Sequence, residues 1–304
     1  MTATKTLNLV DLARSLDAAG QGDRALTVLD RAVSRDDEAD AALALKADML
    51  RSRGALRLAA ETFQVVAERN ARHPFARYLS DLLSGRPSPL PDARPAPWPS
   101  PFVRLEHFLD GARHDELLAL VSQQASAFEP STVGVAVGNG REPRVVPDAR
   151  TSYRLAAIEP VAEWMRPLVA ARIPMVFAQL GVAPFEPAEI EIKCTAYGDG
   201  NFFLAHSDNL GHPTRRISYV YYFHSLPKRY TGGALILYDG NVADPSRFYP
   251  DRFTRLDTVD DSIVFFPSGI VHEVDRVVSP SGRFEDARFT LAGHVHAAAT
   301  TQQE

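Results

Sequence analysis

The sequence predicts an α+β protein in which an all-α, repeat-like segment precedes a jelly-roll β domain with flanking helices. Three observations carry this. Between about residues 7 and 83, apolar residues recur at spacings of three and four, as in Leu26, Leu29 and Val33 or Phe63, Val66 and Ala67, the pattern of helices with one buried face. From residue 188 onward the period changes to two, in short runs separated by Gly, Pro, Asp or Asn. Between them, residues 87–101 hold seven prolines, too many for a helix or a central strand. The expected division is a helical segment at 1–85, a Pro-rich linker at 86–101 and the β domain at 102–304.

Composition narrows the function classes. A net charge of -5 argues against non-specific nucleic-acid binding, which relies on a basic surface neutralising phosphates. The N-terminus lacks a long apolar run, and nowhere do 18 apolar residues follow one another, so the expectation is a cytoplasmic protein with no membrane span. Cys194 is the single cysteine, which excludes an internal disulfide and any Cys-rich zinc site. A metal site in this chain must be built from His and carboxylate.

Taken in order, the helical segment shows an internal echo. A shift of 34 residues lays Ala25, Leu29 and Ala32 on Ala59, Phe63 and Val66, a small-large-small pattern that resembles the second helix of a tetratricopeptide repeat. Such a segment is either a recognition surface for a protein partner or a pair of helical hairpins packed on the main domain. After the linker, 103–108 reads as a strand, and Asp110 as the cap of an amphipathic helix reaching about residue 127. Residues 129–149 have no sustained period and are long for a connection; they read as a flap over a site or a surface excursion. A strand at 150–156 and one helix at 160–180 follow. Strands are then expected at 189–196, 202–206, 216–223, 234–238, 254–257, 262–267, 272–277 and 288–296, which suit a jelly-roll barrel with a pocket at its mouth.

The chemistry concentrates in the β domain. In Y-G-D-G-N-F-F-L-A-H-S-D (197–208), His206 and Asp208 stand two apart behind a strand-like run, so both side chains are expected on one face. An imidazole and a carboxylate are two thirds of the facial triad that binds non-haem iron and leaves positions open. The pair alone arises readily by chance. Further on, the apolar strand S-I-V-F-F-P (262–267) leads through a turn to His272, and Arg288 and Thr290 open the last strand on a common face.

The order Y-G-x-G-x-F-F-x-x-H-x-D, a strand with paired tyrosines, G-G-A-L, F-F-P-S-x-x-x-H-E-V and R-x-T resembles the Fe(II)/2-oxoglutarate-dependent dioxygenases of the prolyl 4-hydroxylase type over about residues 100–297. The resemblance implies a double-stranded β-helix fold, with Fe(II), 2-oxoglutarate and O2 as cofactor and cosubstrates. It implies that His206, Asp208 and His272 bind the metal and that Arg288 clamps the distal carboxylate of 2-oxoglutarate, which a guanidinium fork matches bidentately. Thr290, Tyr222 and Tyr197 match other positions around that cosubstrate. The interval from His272 to Arg288 is longer than usual for the family, which makes Arg283 a rival to Arg288; Arg288 is preferred because Arg283 follows Pro280 and Gly282 in an expected turn. Related halogenases replace the carboxylate by a small residue. Asp208 is retained here, so hydroxylation or a related oxidation is the implied outcome.

Other residues carry simpler readings. His294 and His296 read as ordinary end-of-strand residues, His212 and His224 as candidates for a pocket rim, and Cys194 as a small buried hydrophobe. Arg150 faces substrate or forms a strand-edge ion pair. No phosphate-binding loop, nucleophile elbow or dinucleotide fingerprint is present. The expected activity is hydroxylation of a residue in a peptide or protein. The alternatives are oxidation of a free amino acid or small metabolite, and an inactive scaffold.

Overall fold

The computed structural model describes residues 8–35, 38–86, 95–138, 140–241 and 244–299. Five helices come first: α1 (Leu9–Ala18), α2 (Gly22–Val33), α3 (Ala39–Ser52), α4 (Leu56–Arg69) and α5 (Ala76–Leu83). Then follow β1 (Val103–Glu106), α6 (Gly111–Gln123), β2 (Glu129–Pro130), β3 (Val133–Val137), β4 (Gly140–Arg144), β5 (Arg150–Thr151) and β6 (Tyr153–Leu155). Helices α7 (Glu159–Ala170) and α8 (Ile173–Leu180) lead into β7 (Pro187–Ile190), β8 (Lys193–Tyr197), β9 (Phe202–His206), β10 (Arg215–Phe223), β11 (Thr231–Gly232) and β12 (Leu235–Asn241). The chain continues through β13 (Asp244–Leu256), β14 (Ser262–Pro267), β15 (His272–Val274), β16 (Val277–Val278) and β17 (Arg288–Ala297).

The strands build a jelly roll of two antiparallel sheets. One runs β1-β14-β10-β17-β8-β6-β2, with β7 also on β17; the other runs β13-β12-β15-β9-β5. Strand parity explains the larger sheet. In β10, Ile217, Tyr219, Tyr221 and Phe223 face the helices α6 to α8, where they join Leu117, Met165 and Val176 in one buried cluster. Both faces of β14 are buried, with Ile263 and Phe265 against those helices and Val264 and Phe266 on the inner side, so its sequence is a continuous apolar run rather than an alternation.

Several boundaries differ from expectation for identifiable reasons. The aperiodic stretch at 129–149 contains the β3–β4 hairpin, whose strands pair with each other and with neither sheet, so no buried face imposes alternation on it. The strand expected at 150–156 is two: β5 pairs with β9 in the smaller sheet and β6 with β8 in the larger. The helix expected at 160–180 breaks after Ala170, with Pro174 in the first turn of α8. Strand β13 starts ten residues earlier than expected.

The N-terminal helices form hairpins, and Ala25, Leu29 and Ala32 on α2 are buried as are Ala59, Phe63 and Val66 on α4, at the 34-residue offset. These helices share a core with the β domain: Leu50, Phe63 and Leu79 belong to the same buried cluster as Leu235, Leu256 and Phe266. The junction also contains charge. Arg51 of α3 donates from both terminal nitrogens to the carboxylate of Asp239 on β12, each at 2.7 Å, and to Thr254 at 3.2 Å, with both charged side chains almost fully buried. Residues 87–94 of the expected linker lie outside the described residues. At its far end, Trp98 makes a two-way backbone bridge with Gly240 (2.8 and 2.9 Å). No helix among the described residues is long and apolar enough to cross a membrane.

Arg51→Ala leaves the buried Asp239 carboxylate without its cation and is expected to lose about 3–5 kcal/mol in a denaturant titration; Asp239→Ala is expected to lose less, because Arg51 keeps the contact of its other partner, Asp48, at 3.2 Å. The double variant Arg51→Met/Asp239→Leu is expected to be closer to wild type than either Ala variant. Burial pushes the Cys194 thiol up to about 12. It is therefore expected to resist a thiol-disulfide reagent at pH 8 in the native protein and to react fully in denaturant.

Candidate active site

Strands β9 and β15 pair so that His272 lies directly opposite His206, with ring centroids 4.3 Å apart. The imidazoles are oriented from behind. Nδ1 of His206 is 2.8 Å from the Leu204 carbonyl and Nδ1 of His272 is 2.9 Å from the Ile270 carbonyl. A carbonyl only accepts, so each Nδ1 carries a proton, and a neutral ring in this tautomer has its lone pair on Nε2.

Asp208 does not share a strand face with His206, as the sequence spacing suggested. It lies just past the end of β9, where its N–H donates to the Ser268 carbonyl (3.0 Å), and this turn brings its carboxylate back to the histidines. Its oxygens stand 3.6 Å from Nε2 of His206 and 3.4 Å from Nε2 of His272. One donor atom from each of the three residues lies within 4.8 Å of the others.

The protonation states suit a cation. Burial by itself would raise the Asp208 carboxyl, but His272, His206 and His294 together hold it well below the usual carboxylate range. Burial pushes His272 down to about 4, so at neutral pH its imidazole is neutral. Two neutral imidazoles and one carboxylate form the arrangement that holds a divalent first-row metal on one side and leaves other positions open.

Arg288 lines the same cavity, which has a volume of about 120 Å3, and is almost fully buried. Its Nε donates to the Gly233 carbonyl (2.7 Å), and among the described residues no carboxylate lies within salt-bridge distance of it. Gly233, at φ +68, is required there: a Cβ would meet Arg288 Cδ at 2.7 Å. The strands on either side of β17 supply the aromatic surround. Tyr197 of β8 is in register with Arg288 and Tyr222 of β10 with Thr290, and the guanidinium carbon lies 4.8 Å from one ring centre and 5.0 Å from the other. The Tyr222 hydroxyl is buried beside Arg288 without a hydrogen bond of good geometry to any described residue. An unneutralised guanidinium, an unfilled phenol and the Thr290 hydroxyl fit the carboxylate of a small acid.

Thus His206, Asp208, His272, Tyr197, Arg288 and Thr290 line one cavity; Tyr222 is not one of its lining residues, but its ring packs against the Arg288 guanidinium. Arg283 is elsewhere: its side chain is exposed and pairs with Glu285 at 3.5 Å. His212 borders an outer cleft, whereas His224 lines neither space and points Nδ1 at the Ser225 carbonyl.

Sequence reasoning missed the support around Asp208. The Ser218 hydroxyl donates to the Asp208 carboxylate (2.6 Å) and stands 2.9 Å from the hydroxyl of Ser268 and 3.2 Å from Nδ1 of His294. His294 is not an end-of-strand residue: it lies inside β17 and lines the cavity. Its signal was parity, since it falls on the same strand face as Arg288 and Thr290. Nothing in the sequence marks Ser218, and Ser268 stands in the F-F-P-S run without any sign of this contact.

Residues 192–296 match the family model described as the 2OG-Fe(II) oxygenase superfamily, an interval that contains all seven residues singled out above. An uncharacterized PKHD-type hydroxylase of Synechocystis is 37% identical over 150 residues, covering 48% of this chain and 50% of the relative, so the match spans half the length of that protein. Among solved structures, a Pseudomonas putida prolyl-4-hydroxylase is similar at 20% identity and a TM-score of 0.43, covering 65% of this chain and 93% of that one. A Trichoplax adhaerens prolyl hydroxylase, in complex with a peptide fragment of the hypoxia inducible factor oxygen degradation domain, is similar at 18% identity and a TM-score of 0.47, covering 64% and 83%.

Metal titration by calorimetry is expected to show no binding for Asp208→Ala. Ser218→Ala, which removes only the hydroxyl that orients the carboxylate, is expected to weaken binding by about 10- to 100-fold.

Proposed function

We propose that this chain is an Fe(II)- and 2-oxoglutarate-dependent dioxygenase that hydroxylates an unactivated C–H bond on a residue of a peptide or protein. The observation that carries the reading is the presence, in one cavity, of a His-Asp-His donor set and a buried guanidinium with no counter-charge among the described residues. The first calls for a metal and the second for an anion, and few small ligands serve both sites together. The match of residues 192–296 to the oxygenase family model supports the same reading.

His206, Asp208 and His272 would hold Fe(II). When bound, Fe(II) supplies the coupling of oxidative decarboxylation of 2-oxoglutarate by O2, to succinate and carbon dioxide, with hydroxylation of the substrate. The remaining chemistry belongs to the side chains. Arg288 receives the distal carboxylate of 2-oxoglutarate in a fork, Tyr222 and Thr290 add hydroxyls, and Tyr197 packs against the guanidinium and keeps water from it. Ser218 keeps Asp208 turned toward the histidines. Retention of the carboxylate at Asp208 favours hydroxylation over halogenation.

Residues 1–85 serve in this reading as a tetratricopeptide-like layer that helps recruit a protein partner, and 102–304 as the oxygenase domain. Composition and the single cysteine favour a cytoplasmic setting.

Succinate release from 2-oxoglutarate, measured with Fe(II) and O2 across peptides and amino acids, tests the activity. Wild type is expected to release succinate and Asp208→Ala to release none; a wild-type protein that neither binds Fe(II) nor consumes 2-oxoglutarate overturns it. Arg288→Ala is expected to raise the 2-oxoglutarate requirement by roughly two orders of magnitude, the ~3 kcal/mol that follows removal of one partner of a buried charged pair. Arg283→Ala is expected to leave it unchanged.

A further inference from the structure

Outside the metal ligands the cavity opens into a cleft of about 560 Å3, walled by β9, the loop that carries Asp208 and the β3–β4 hairpin. Its charges are mostly positive. Arg141, Arg150, Lys193 and Arg215 border it, against Glu142 and the metal-binding Asp208. These cations differ in their partners. Lys193 and Arg215 both pair with Glu191, and Glu142 is taken by Arg144 at 3.0 Å. Among the described residues, Arg141 and Arg150 have no carboxylate within salt-bridge distance. Arg141 is exposed and bonded to the Gly134 carbonyl.

Arg150 is held in place. Its Nε donates to the Ser152 hydroxyl (2.7 Å), and its guanidinium lies over the Phe203 ring at 4.6 Å. Phe203 in turn stacks on His206, with ring centroids 3.6 Å apart. A planar cation is thus fixed one aromatic ring from a metal ligand, half-buried, at the boundary shared by the inner cavity and the outer cleft. The guanidinium also lies 6.0 Å from the Tyr197 ring centre; its Nε is engaged, and the edge bearing the two terminal nitrogens, which bond to none of the described residues, remains for a ligand. That edge is the part of a guanidinium that forks a carboxylate. Arg288 already answers the carboxylate of the cosubstrate, so this second cation calls for a second anion.

On the dioxygenase reading given above, we propose that Arg150 is a specificity-determining residue that binds a carboxylate of the primary substrate, close to the carbon that is oxidised. The carboxylate comes either from a free acid or from an acidic residue of a peptide. The chemistry is shared, and two arms of one experiment separate the sources.

The probes are matched acid and amide pairs, N-acetyl-L-proline against N-acetyl-L-prolinamide and the blocked tripeptides Ac-Ala-Asp-Ala-NH2 against Ac-Ala-Asn-Ala-NH2. Their binding to the full chain is followed by saturation-transfer NMR, with 2-oxoglutarate held at saturation for each protein so that Arg288 is occupied. Wild type is expected to bind at least one acid about tenfold or more tighter than its amide, and the arm in which this occurs names the source. In Arg150→Gln the preference is expected to vanish, and in Arg150→Lys, which keeps the charge and loses the fork, to fall only in part. Equal binding of acid and amide, no binding of either pair, or a preference that survives Arg150→Gln in a folded variant overturns the proposal while leaving the dioxygenase reading intact. A wild-type protein that binds no 2-oxoglutarate overturns both.

Discussion

The pairing of β9 with β15 is the constraint on which the site depends. It sets His272 opposite His206, and it is set in turn by the strands around it: β12 holds β15 from the other side, and β5 covers the far edge of β9. In an antiparallel pair, opposed side chains project to one face at close range, so two ligands from separate parts of the chain converge without any local motif joining them. Asp208 then needs only a turn, fastened to the Ser268 carbonyl, to complete the set.

The helical segment is part of the same construction. Its apolar residues continue the inner core of the jelly roll, and the Arg51–Asp239 pair fixes α3 to β12, the strand that braces β15. Helical packing therefore reaches His272 through a single intervening strand. The opposite wall is supported separately, by α6 to α8 beneath the outward-facing tyrosines and phenylalanines of β10 and β17. The cavity sits between two independently packed layers, which holds the two histidines and the guanidinium on strands, while the turn that carries Asp208 is fastened to the Ser268 carbonyl.

Much of this was legible before any coordinates. His206, Asp208, His272 and Arg288 stand out because the chemistry requires those residue types, and period-two patterning places them at strand ends. What escaped was whatever depends on contacts between distant segments. Ser218 is an ordinary serine until β10 brings its hydroxyl to the Asp208 carboxylate, with the Ser268 hydroxyl against it. Arg150 shows itself as a cation without a carboxylate partner among the described residues only once Phe203 lies beneath it. The β3–β4 hairpin hid because it packs on neither sheet, and alternation appears in a sequence only where one face is buried. The 34-residue echo between α2 and α4 was visible for the opposite reason: each helix buries the same side against its neighbour.

Strand β17 draws two chemistries from one alternation. Arg288, Thr290, Ala292 and His294 face the cavity, while Phe289, Leu291 and Val295 face the helices. Insertion or deletion of a single residue within 288–295 would exchange these sets, driving a guanidinium among phenylalanines and a leucine toward the metal. The preceding stretch, 279–287, is under no such restriction, since its length alters neither ladder that β17 makes with β8 and β10. The long interval between His272 and Arg288 is therefore a place where this scaffold accepts added sequence, and the eight positions after it are a place where it accepts none.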